Sequence, residues 1–383
     1  MRRIEFDYRL SKQRKYIELR MIPTWKIKRE LARLQVQVYG LFGYLTDPYR
    51  RRKHKVWRTN ELKAYEGRIS ESAKIALLLI YQPKLIPESL LQSIKHLVQN
   101  GYSPLVISNT PLSSSDTKLL LENCWRLVFR PNFGYDFGGY QDGVWLLNQL
   151  GIQPTTLLIQ NDSVWHPIFD GSTMLEQMEA SPADFVGTQI FERISTKPLT
   201  PELMFMGSYC FMIKEKAYES EAFQSFWINY RATSNKEKTL RRGERAFSRK
   251  LMDAGITFKG IFAASDYFAM IDGLSDTQVE IGIEYLICTN PELVVRRDSL
   301  KVADIDADWY IEARRLLKDM CKKKNFIGAS PVLAINHMDF PMIKKNNERH
   351  YKLARAAILR AAQNNDIRPL RSEILDELRK RDV

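Results

Sequence analysis

The feature that most constrains the fold is the regular alternation of short apolar runs with helical segments between residues 74 and 160. The apolar runs have the length of strands and lie at 74–81, 103–109, 125–130 and 155–160. Helical patterns with Pro, Ser or Asp near their starts lie between them, at 86–101, 113–124 and 136–151. Strands that alternate with helices in this way predict a mostly parallel sheet with helices on both faces, a Rossmann-type α/β fold.

In such a sheet, ligands bind beyond the carboxyl ends of the strands. The residues at those ends are polar or rich in glycine. They are Tyr81 and Gln82, Ser108 and Asn109, residues 130–136 with Asn132, and residues 160–163. The sequence therefore predicts one binding edge that gathers these segments.

The stretch RPNFGYDFGGYQDG begins at Arg130 and follows the third apolar run. Gly134, Gly138 and Gly139 would let a bulky ligand approach the backbone, and the start of the next helix favours an anionic group. The spacing differs from GxGxxG and no P-loop lysine is present, which argues against a dinucleotide or ATP site. The alternative interpretation is a turn in which Asp136 caps the helix.

The stretch QNDS ends the fourth apolar run and places Asp162 where a carboxylate needs a cation or hydrogen-bond donors. A hard cation that bridges Asp162 and a diphosphate would meet that need, with Asn161 and Ser163 as neutral oxygen ligands or orienting groups. An ordinary Asx turn is the alternative.

Further along the chain, the pattern predicts a strand at 206–218 and helices at 221–230 and 243–255. Glu244, Phe247 and Leu251 share one helix face, so Glu244 faces inward and is a candidate general base. The alternative is an acid placed to favour the start of a helix.

The positive charge lies at the two ends of the 383-residue chain. Residues 1–70 hold 19 Lys and Arg against 7 Asp and Glu, residues 71–343 hold 28 against 32, and residues 344–383 hold 11 against 6. The nearly neutral middle argues against nucleic-acid binding. The four cysteines have no metal-ligand spacing, and no signal peptide or membrane-spanning run is present.

Residues 1–70 predict a basic helical extension, with an amphipathic pattern at 24–45 followed by DPYRRRKHK. This segment either anchors the protein to an anionic membrane surface or packs as a helical cap on the main domain. The expected location is cytoplasmic, peripheral on the inner face of the membrane. Near the other end, His337 and Lys344 are candidates to approach a pyrophosphate.

These motifs resemble the rhamnan synthesis protein F family, bacterial polysaccharide glycosyltransferases with a GT-A-like fold. The resemblance rests on RPNFGYDFGGYQDG, LLIQNDSVWHP, GSYCFMIKEKAYESEAFQSFW and GERAFSRKLMDAG, and covers about residues 74–345. It implies a glycosyltransferase domain at 71–345 between the basic extension and a helical tail at 346–383.

The resemblance implies an inverting transfer of a sugar, L-rhamnose from dTDP-rhamnose, to a lipid-linked surface glycan. Glu244 is then the catalytic base, and Asp162 and His337 would bind Mg²⁺ or Mn²⁺. The donor-binding residues would be Tyr81, Ser108, Asn109, Asn132, Gly134, Asp136, Asn161, Ser163 and Lys344. Because the NDS triplet carries one acid where the family pattern has two, a non-catalytic glycan-binding or scaffold subunit is the alternative.

Overall fold

The computed structural model describes residues 46–192, 204–323 and 325–382. The chain divides into two units, Met1–Tyr49 and Arg50–Val383, and the second unit contains the sheet. The amphipathic helix predicted at 24–45 lies outside the described residues. Within the described residues, no helix combines the length and apolar character that a membrane span requires.

The main sheet and two small sheets are built from short strands. In chain order they are β1 (Ala64–Glu66), β2 (Lys74–Ile80), β3 (Ser103–Ser108), β4 (Arg126–Phe129), β5 (Thr156–Asn161), β6 (Val164–Trp165), β7 (Phe185–Gly187), β8 (Ile190–Glu192), β9 (Met204–Met206), β10 (Cys210–Lys214), β11 (Phe258–Gly260) and β12 (Ile343–Lys344).

The helices begin with one that covers residues 46–60, here α1. The others are α2 (Glu88–Gln99), α3 (Ser114–Asn123), α4 (Tyr135–Gln149), α5 (Met174–Ala180), α6 (Glu215–Glu219), α7 (Glu221–Asn229), α8 (Lys236–Thr239), α9 (Ala246–Asp253), α10 (Ala264–Gly273), α11 (Asp276–Glu284), α12 (Pro291–Leu300), α13 (Ala307–Lys323), α14 (Phe326–Ala329), α15 (Pro331–His337), α16 (Arg349–Asn364) and α17 (Ser372–Asp382). A π-helical turn, Leu240–Arg245, joins α8 to α9.

The main sheet has the strand order β1-β4-β3-β2-β5-β10-β7-β11. Strands β4, β3, β2 and β5 are parallel neighbours, and β7 and β11 are also parallel. Strand β10 runs antiparallel to both β5 and β7, and the edge strand β1 runs antiparallel to β4. The sheet is thus mostly parallel, with one reversed strand inside it, and the predicted α/β class with a mostly parallel sheet flanked by helices is confirmed.

Strand β2 is buried on both faces, as its continuous apolar sequence predicts for a central parallel strand. Leu78 and Ile80 pack with the cluster that contains residues of α2 and α3. Leu77 and Leu79 face the opposite side and pack with the cluster that contains residues of α4, α7 and α9. The sheet is therefore the middle layer between two layers of helices.

The glycines of the RPNFGYDFGGYQDG stretch serve helix packing in this structure. A Cβ on Gly139 would lie 2.3 Å from Leu79 Cδ1, and one on Gly143 would lie 2.2 Å from Leu77 Cδ1. A Cβ on Gly138 would lie 2.4 Å from the backbone oxygen of Phe133. The space expected for a ligand at Gly138 and Gly139 is therefore occupied by the protein itself, which corrects that expectation.

Two later elements differ from their predicted extents. The strand predicted at 206–218 is interrupted, because β10 covers Cys210–Lys214 and α6 begins at Glu215. The helix predicted at 243–255 begins at Ala246, so Glu244 lies in the preceding π-helical turn and not in an α-helical first turn. Phe247 and Leu251 are buried, as their shared face predicts.

Candidate active site

Asp162 lies directly after β5, where β5 and its parallel neighbour β2 both end. Its Oδ2 accepts hydrogen bonds from the backbone NH of Tyr81, at 2.7 Å, and from Gln82 Nε2, at 2.6 Å. The backbone NH of Asp162 donates to the oxygen of Leu79. The ends of two adjacent strands therefore fix the position of this carboxylate.

Asn161 connects this edge to the first turn of α4. Its Nδ2 donates to Asp136 Oδ2 and to the hydroxyl of Tyr140, both at 3.0 Å. Its Oδ1 accepts hydrogen bonds from the backbone and the side chain of Ser163. Asn161 thus orients Asp136 and the turn that carries Asp162.

Glu244 reaches the same edge from the π-helical turn Leu240–Arg245. Its Oε1 accepts a hydrogen bond of 2.9 Å from the backbone NH of Ser208, which precedes the reversed strand β10. The turn is tightly packed, because a Cβ on Gly243 would lie 2.6 Å from Cγ of Phe137. Single π-helical turns recur at functional sites, where they redirect one side chain.

Two lysines arrive from the C-terminal part of the chain. Strand β12 pairs with β6, which places Lys344 opposite Val164. Lys344 Nζ lies 3.1 Å from the centroid of the Tyr209 ring. The backbone NH of Lys345 donates to the oxygen of Ser163 at 2.8 Å, so Lys345 follows the Asp162 turn.

A buried arginine holds this C-terminal segment in place. Arg355, in α16, has a relative exposure of 0%. Its Nη1 donates to the backbone oxygens of Lys344, at 3.1 Å, and of Asn346, at 2.7 Å. The sequence pattern did not identify Arg355, because an arginine on a helix is usually exposed.

The charges at this edge act on one another. Burial, together with the charges of Asp162 and Glu244, raises the pKa of Asp136 to about 6. Burial also raises the pKa values of Asp162 and Glu244, although Lys345 opposes this at Asp162 and the Ser208 NH opposes it at Glu244.

The pKa values of Lys344 and Lys345 are shifted downward, opposite to those of the acids. Burial lowers the pKa of Lys344 to about 7, although Glu244 and Asp136 favour its charged form. Burial likewise lowers the pKa of Lys345, against the attraction of Asp162. These mutual effects place Asp136, Lys344 and Glu244 within electrostatic reach of one another.

The other predicted donor-binding residues have different surroundings. The Ser108 hydroxyl donates to the backbone oxygen of Thr110, and Asn109 Oδ1 accepts from Arg130 Nη1 at 2.5 Å. Tyr81 and Asn132 are exposed. Gly134 has φ +85° and is the N-cap of α4, and a Cβ on it would lie 2.8 Å from the Cβ of Ala232. The roles of these residues in binding stay predictions.

His337, the second predicted metal ligand, ends helix α15. It is half-buried, and burial lowers its pKa without a contribution from a neighbouring charge. In the described parts of the chain, no three His, Cys, Asp or Glu side chains form a group suited to a metal ion. His337 as a metal ligand therefore stays a prediction that no contact at the Asp162 edge supports.

A cluster of charged side chains around Asp142, a residue of α4, was not identified from the sequence. Asp142 is fully buried and binds Arg130 Nε at 2.7 Å and His54 Nε2 at 2.8 Å. Burial would raise its pKa, but Arg130 and His54 hold the pKa below its ordinary value. Arg130 Nη2 also donates to the backbone oxygen of Phe133. Arg130 and Asp142, the first and last charged residues of the RPNFGYDFGGYQDG stretch, thus stabilise its loop.

The strand order and the helices on both faces define the class of this protein as a mixed α/β protein with a mostly parallel sheet, and the carboxyl edge of that sheet carries acids and lysines. The model of the rhamnan synthesis protein F family matches residues 105–279. This match confirms the resemblance to that family for the central part of the chain. It includes Asp136, Asp162 and Glu244.

The proteins similar to this chain include one relative that matches over most of its length and two solved structures. The uncharacterized protein y4gN of Sinorhizobium fredii is 29% identical over 351 residues, which are 89% of this chain and 88% of that protein. Core-mannan synthase A from Aspergillus fumigatus, in an Mn/GDP form, has 10% identity and a TM-score of 0.29, covering 51% of this chain and 73% of its own. The mannosyltransferase PcManGT from Pyrobaculum calidifontis, in complex with GDP-Man and Mn²⁺, has 8% identity and a TM-score of 0.30, covering 86% of each chain.

Proposed function

We propose that this protein is an inverting glycosyltransferase that takes its sugar from a nucleotide-diphosphate donor. The observation that carries the proposal is the meeting of Asp136, Asp162 and Glu244 with Lys344 and Lys345 at the carboxyl edge of the sheet. Donor binding needs positive charge for a diphosphate, and transfer needs a base for the acceptor hydroxyl. This edge supplies both.

In this proposal, Lys344 and Lys345 neutralise charge on the diphosphate as the bond to the sugar breaks. Glu244 accepts the proton of the acceptor hydroxyl as that oxygen attacks the sugar carbon from the opposite side. Burial raises the pKa of Glu244, which makes the carboxylate a stronger base than an exposed glutamate. The Ser208 NH fixes one of its oxygens, so the other is the oxygen that takes the proton.

Asp136 and Asp162 form a site for a divalent cation only when phosphate oxygens of the bound donor supply further ligands. Asp136 and Asp162 offer carboxylate oxygens, and Mg²⁺ commonly takes one or two carboxylates and completes its shell with substrate phosphates and waters. We propose that Asp162 and Asp136 hold Mg²⁺ or Mn²⁺ in this way, and that the ion supplies charge neutralisation to the leaving diphosphate.

For the two substrates, we propose dTDP-L-rhamnose as the sugar donor and a lipid-linked surface glycan as the acceptor. The support is the match to the rhamnan synthesis protein F family. With a lipid-linked acceptor, the enzyme would act at the cytoplasmic face of the membrane. The basic N-terminal region, with 19 Lys and Arg in residues 1–70, suits an anionic lipid surface there.

A panel of nucleotide sugars tests the donor. At a free concentration of 100 times its Kd, a donor should add about 2.7 kcal/mol to the free energy of unfolding. This gain is measured as a rise in the thermal midpoint of unfolding. We expect the largest rise with dTDP-rhamnose and Mg²⁺ or Mn²⁺, and smaller rises with dTDP-glucose and GDP-mannose. Asp162→Asn should reduce the rise, because it removes charge from the cation site.

The matched control is Asp253→Asn, which changes an exposed carboxylate that pairs with Arg249 on the surface. It should leave the rise unchanged. The proposal is wrong if no nucleotide sugar stabilises the protein, and that result would favour the scaffold alternative.

A further inference from the structure

An open cavity of ≈390 Å³ is lined in part by Phe133 and Gln141 of the RPNFGYDFGGYQDG stretch, and none of the residues assigned to the proposed transfer lines it within the described chain. Four of the residues that line it are cationic, namely Arg51, Lys55, Arg58 and Arg231, and none of the described lining residues is acidic. Phe133 of the loop and Tyr230 contribute to its wall. The cavity is therefore concave, and the charged groups of its described lining are cationic.

The cationic side chains come together from two separate parts of the chain. Arg51, Lys55 and Arg58 are spaced by four and three residues, so they share one face of α1. Arg231 approaches from the segment after α7. Like charges at such spacing on a helix destabilise it, so this grouping costs free energy unless an anion offsets the repulsion.

The floor of the cavity is rigid. Arg58 Nη1 lies 3.5 Å from Asp142 Oδ1, and the Arg58 guanidinium lies 5.8 Å from the centroid of the Trp145 ring. Asp142 is shared among Arg58, Arg130 and His54, and no ion pair joins it to Arg51, Lys55 or Arg231 within the described residues. Arg58 Nε and His54 Nδ1 are buried and have no hydrogen-bond partner among the described residues.

The rim of the cavity carries exposed cationic side chains that are available to bind an anion. Lys55 and Arg231 are exposed, and within the described chain neither makes an ion pair or a side-chain hydrogen bond. Arg51 Nη1 donates to the backbone oxygen of Ala232, which fixes the α1 face against the segment that carries Arg231. Ile228, which also lines the cavity, is 73% exposed and gives the rim an apolar edge.

We propose that this cavity is a binding site for a phosphate or diphosphate ester, separate from the candidate active site. Arginine and lysine donors around a concave site are the recognition chemistry of phosphate oxygens. The ester is either the headgroup of a membrane lipid or a soluble phosphate compound. The proposal does not depend on the proposed sugar transfer.

Calorimetry with pyrophosphate tests the site in the full chain carrying Lys344→Gln, which weakens binding at the candidate active site. Adding Lys55→Gln with Arg231→Gln should weaken the remaining binding at least tenfold, because two charge-assisted contacts are lost. Neither side chain has an ion-pair or hydrogen-bond partner among the described residues, so stability should not change. The matched control adds Arg52→Gln with Lys53→Gln, which removes two exposed charges from the same helix outside the cavity, and should change the Kd less than twofold.

Sedimentation with phosphatidylcholine vesicles, with and without phosphatidate, identifies the source of the ester. Binding to phosphatidate vesicles that is lost in the Lys55 and Arg231 variant supports a lipid headgroup. A response to pyrophosphate alone supports a soluble compound. Equal losses in the cavity variant and the control would mean diffuse surface charge and would overturn the proposal. Failure of both probes to bind the Lys344→Gln protein would overturn it too, whatever the donor panel shows.

Discussion

Asp136, Glu244 and Lys344 form a set of groups whose pKa values are all displaced toward neutral pH. Burial raises the pKa values of the two acids, and burial lowers the pKa of the lysine to about 7. Groups displaced in this way exchange protons easily in the working range of an enzyme, which is why such displacements concentrate at functional sites. The edge of the sheet is therefore suited to proton transfer beside a bound anion.

The charge on Lys344 should make donor binding depend on pH. The lysine is protonated below its pKa of about 7 and neutral above it, so its attraction for a diphosphate is present at low pH and is lost as the pH rises through 7. We expect the Kd of a nucleoside diphosphate to rise about tenfold between pH 6 and 9, the size of one charge-assisted hydrogen bond. Titration calorimetry at several pH values measures this.

Lys344→Arg is the control, since a guanidinium stays charged throughout this range. Its Kd should vary much less with pH than that of the unmodified protein. Equal pH dependence in the two proteins would show that Lys344 does not titrate against the ligand.

Some of these residues were predictable from the sequence and others were not. Asp162, Asn161 and Ser163 were located because the end of a buried strand is a local pattern that the sequence carries. Lys345 and Arg355 were missed, because their contacts with Ser163 and Lys344 depend on distant parts of the chain meeting. A lone charged residue carries no local signal for such a contact.

At the scale of elements, helix α4 matters most, since it has Asp136 in its first turn and lies directly on the sheet. Its close approach depends on glycine, because a Cβ on Gly139 would lie 2.3 Å from Leu79 Cδ1. A methyl group there would push the helix away from β2. The position of Asp136 relative to Asp162 depends on this packing.

Gly139→Ala should lower the free energy of unfolding by about 1–3 kcal/mol, the usual cost of overpacking a core. The control is Gly273→Ala at the end of α10, where a Cβ would meet nothing within 4 Å. That change should be neutral or slightly stabilising, because alanine reduces the freedom of the unfolded chain. Urea unfolding compares the two, and an equally stable Gly139→Ala protein would contradict the packing argument.

The helices and strands between residues 74 and 161 were predicted well because each is specified by its own pattern, whereas β1 lies in a segment that was predicted to be helical. Ser113 caps α3 by accepting from the NH of Asp116, and β2 is a continuous apolar run. The π-helical turn before α9 was not predicted, because its distortion depends on packing between Gly243 and Phe137. The two-residue pairing of β6 with β12 was too short to give a periodic signal.

At the scale of the whole molecule, the C-terminal helices return to the sheet edge. Glu377 in α17 accepts hydrogen bonds from the Ser89 backbone and hydroxyl at the start of α2, and from Trp165 Nε1 in β6. Leu378 is fully buried in the cluster that contains Trp165. The predicted helical tail is thus part of the fold, although the sequence suggested only a helix there.

The family match covers only part of the candidate site. The match at residues 105–279 includes the acids of the candidate site, whereas Lys344 and Lys345 lie outside it. The C-terminal segment that Arg355 holds supplies the positive charge. The proposed donor site thus depends on the complete unit from Arg50 onward, which contains the sheet and the C-terminal segment.

The central claim is that Glu244 serves as the base while other residues at the same edge bind the donor. Glu244→Gln keeps the shape and the hydrogen bond from Ser208 but removes the basic carboxylate. With the donor identified by the panel and a matching acceptor, the account predicts a kcat lower by about 10²- to 10⁴-fold and a donor Kd within twofold of the original. Glu237→Gln, which changes an exposed acid in α8, should leave both unchanged. Full turnover by Glu244→Gln would contradict the account.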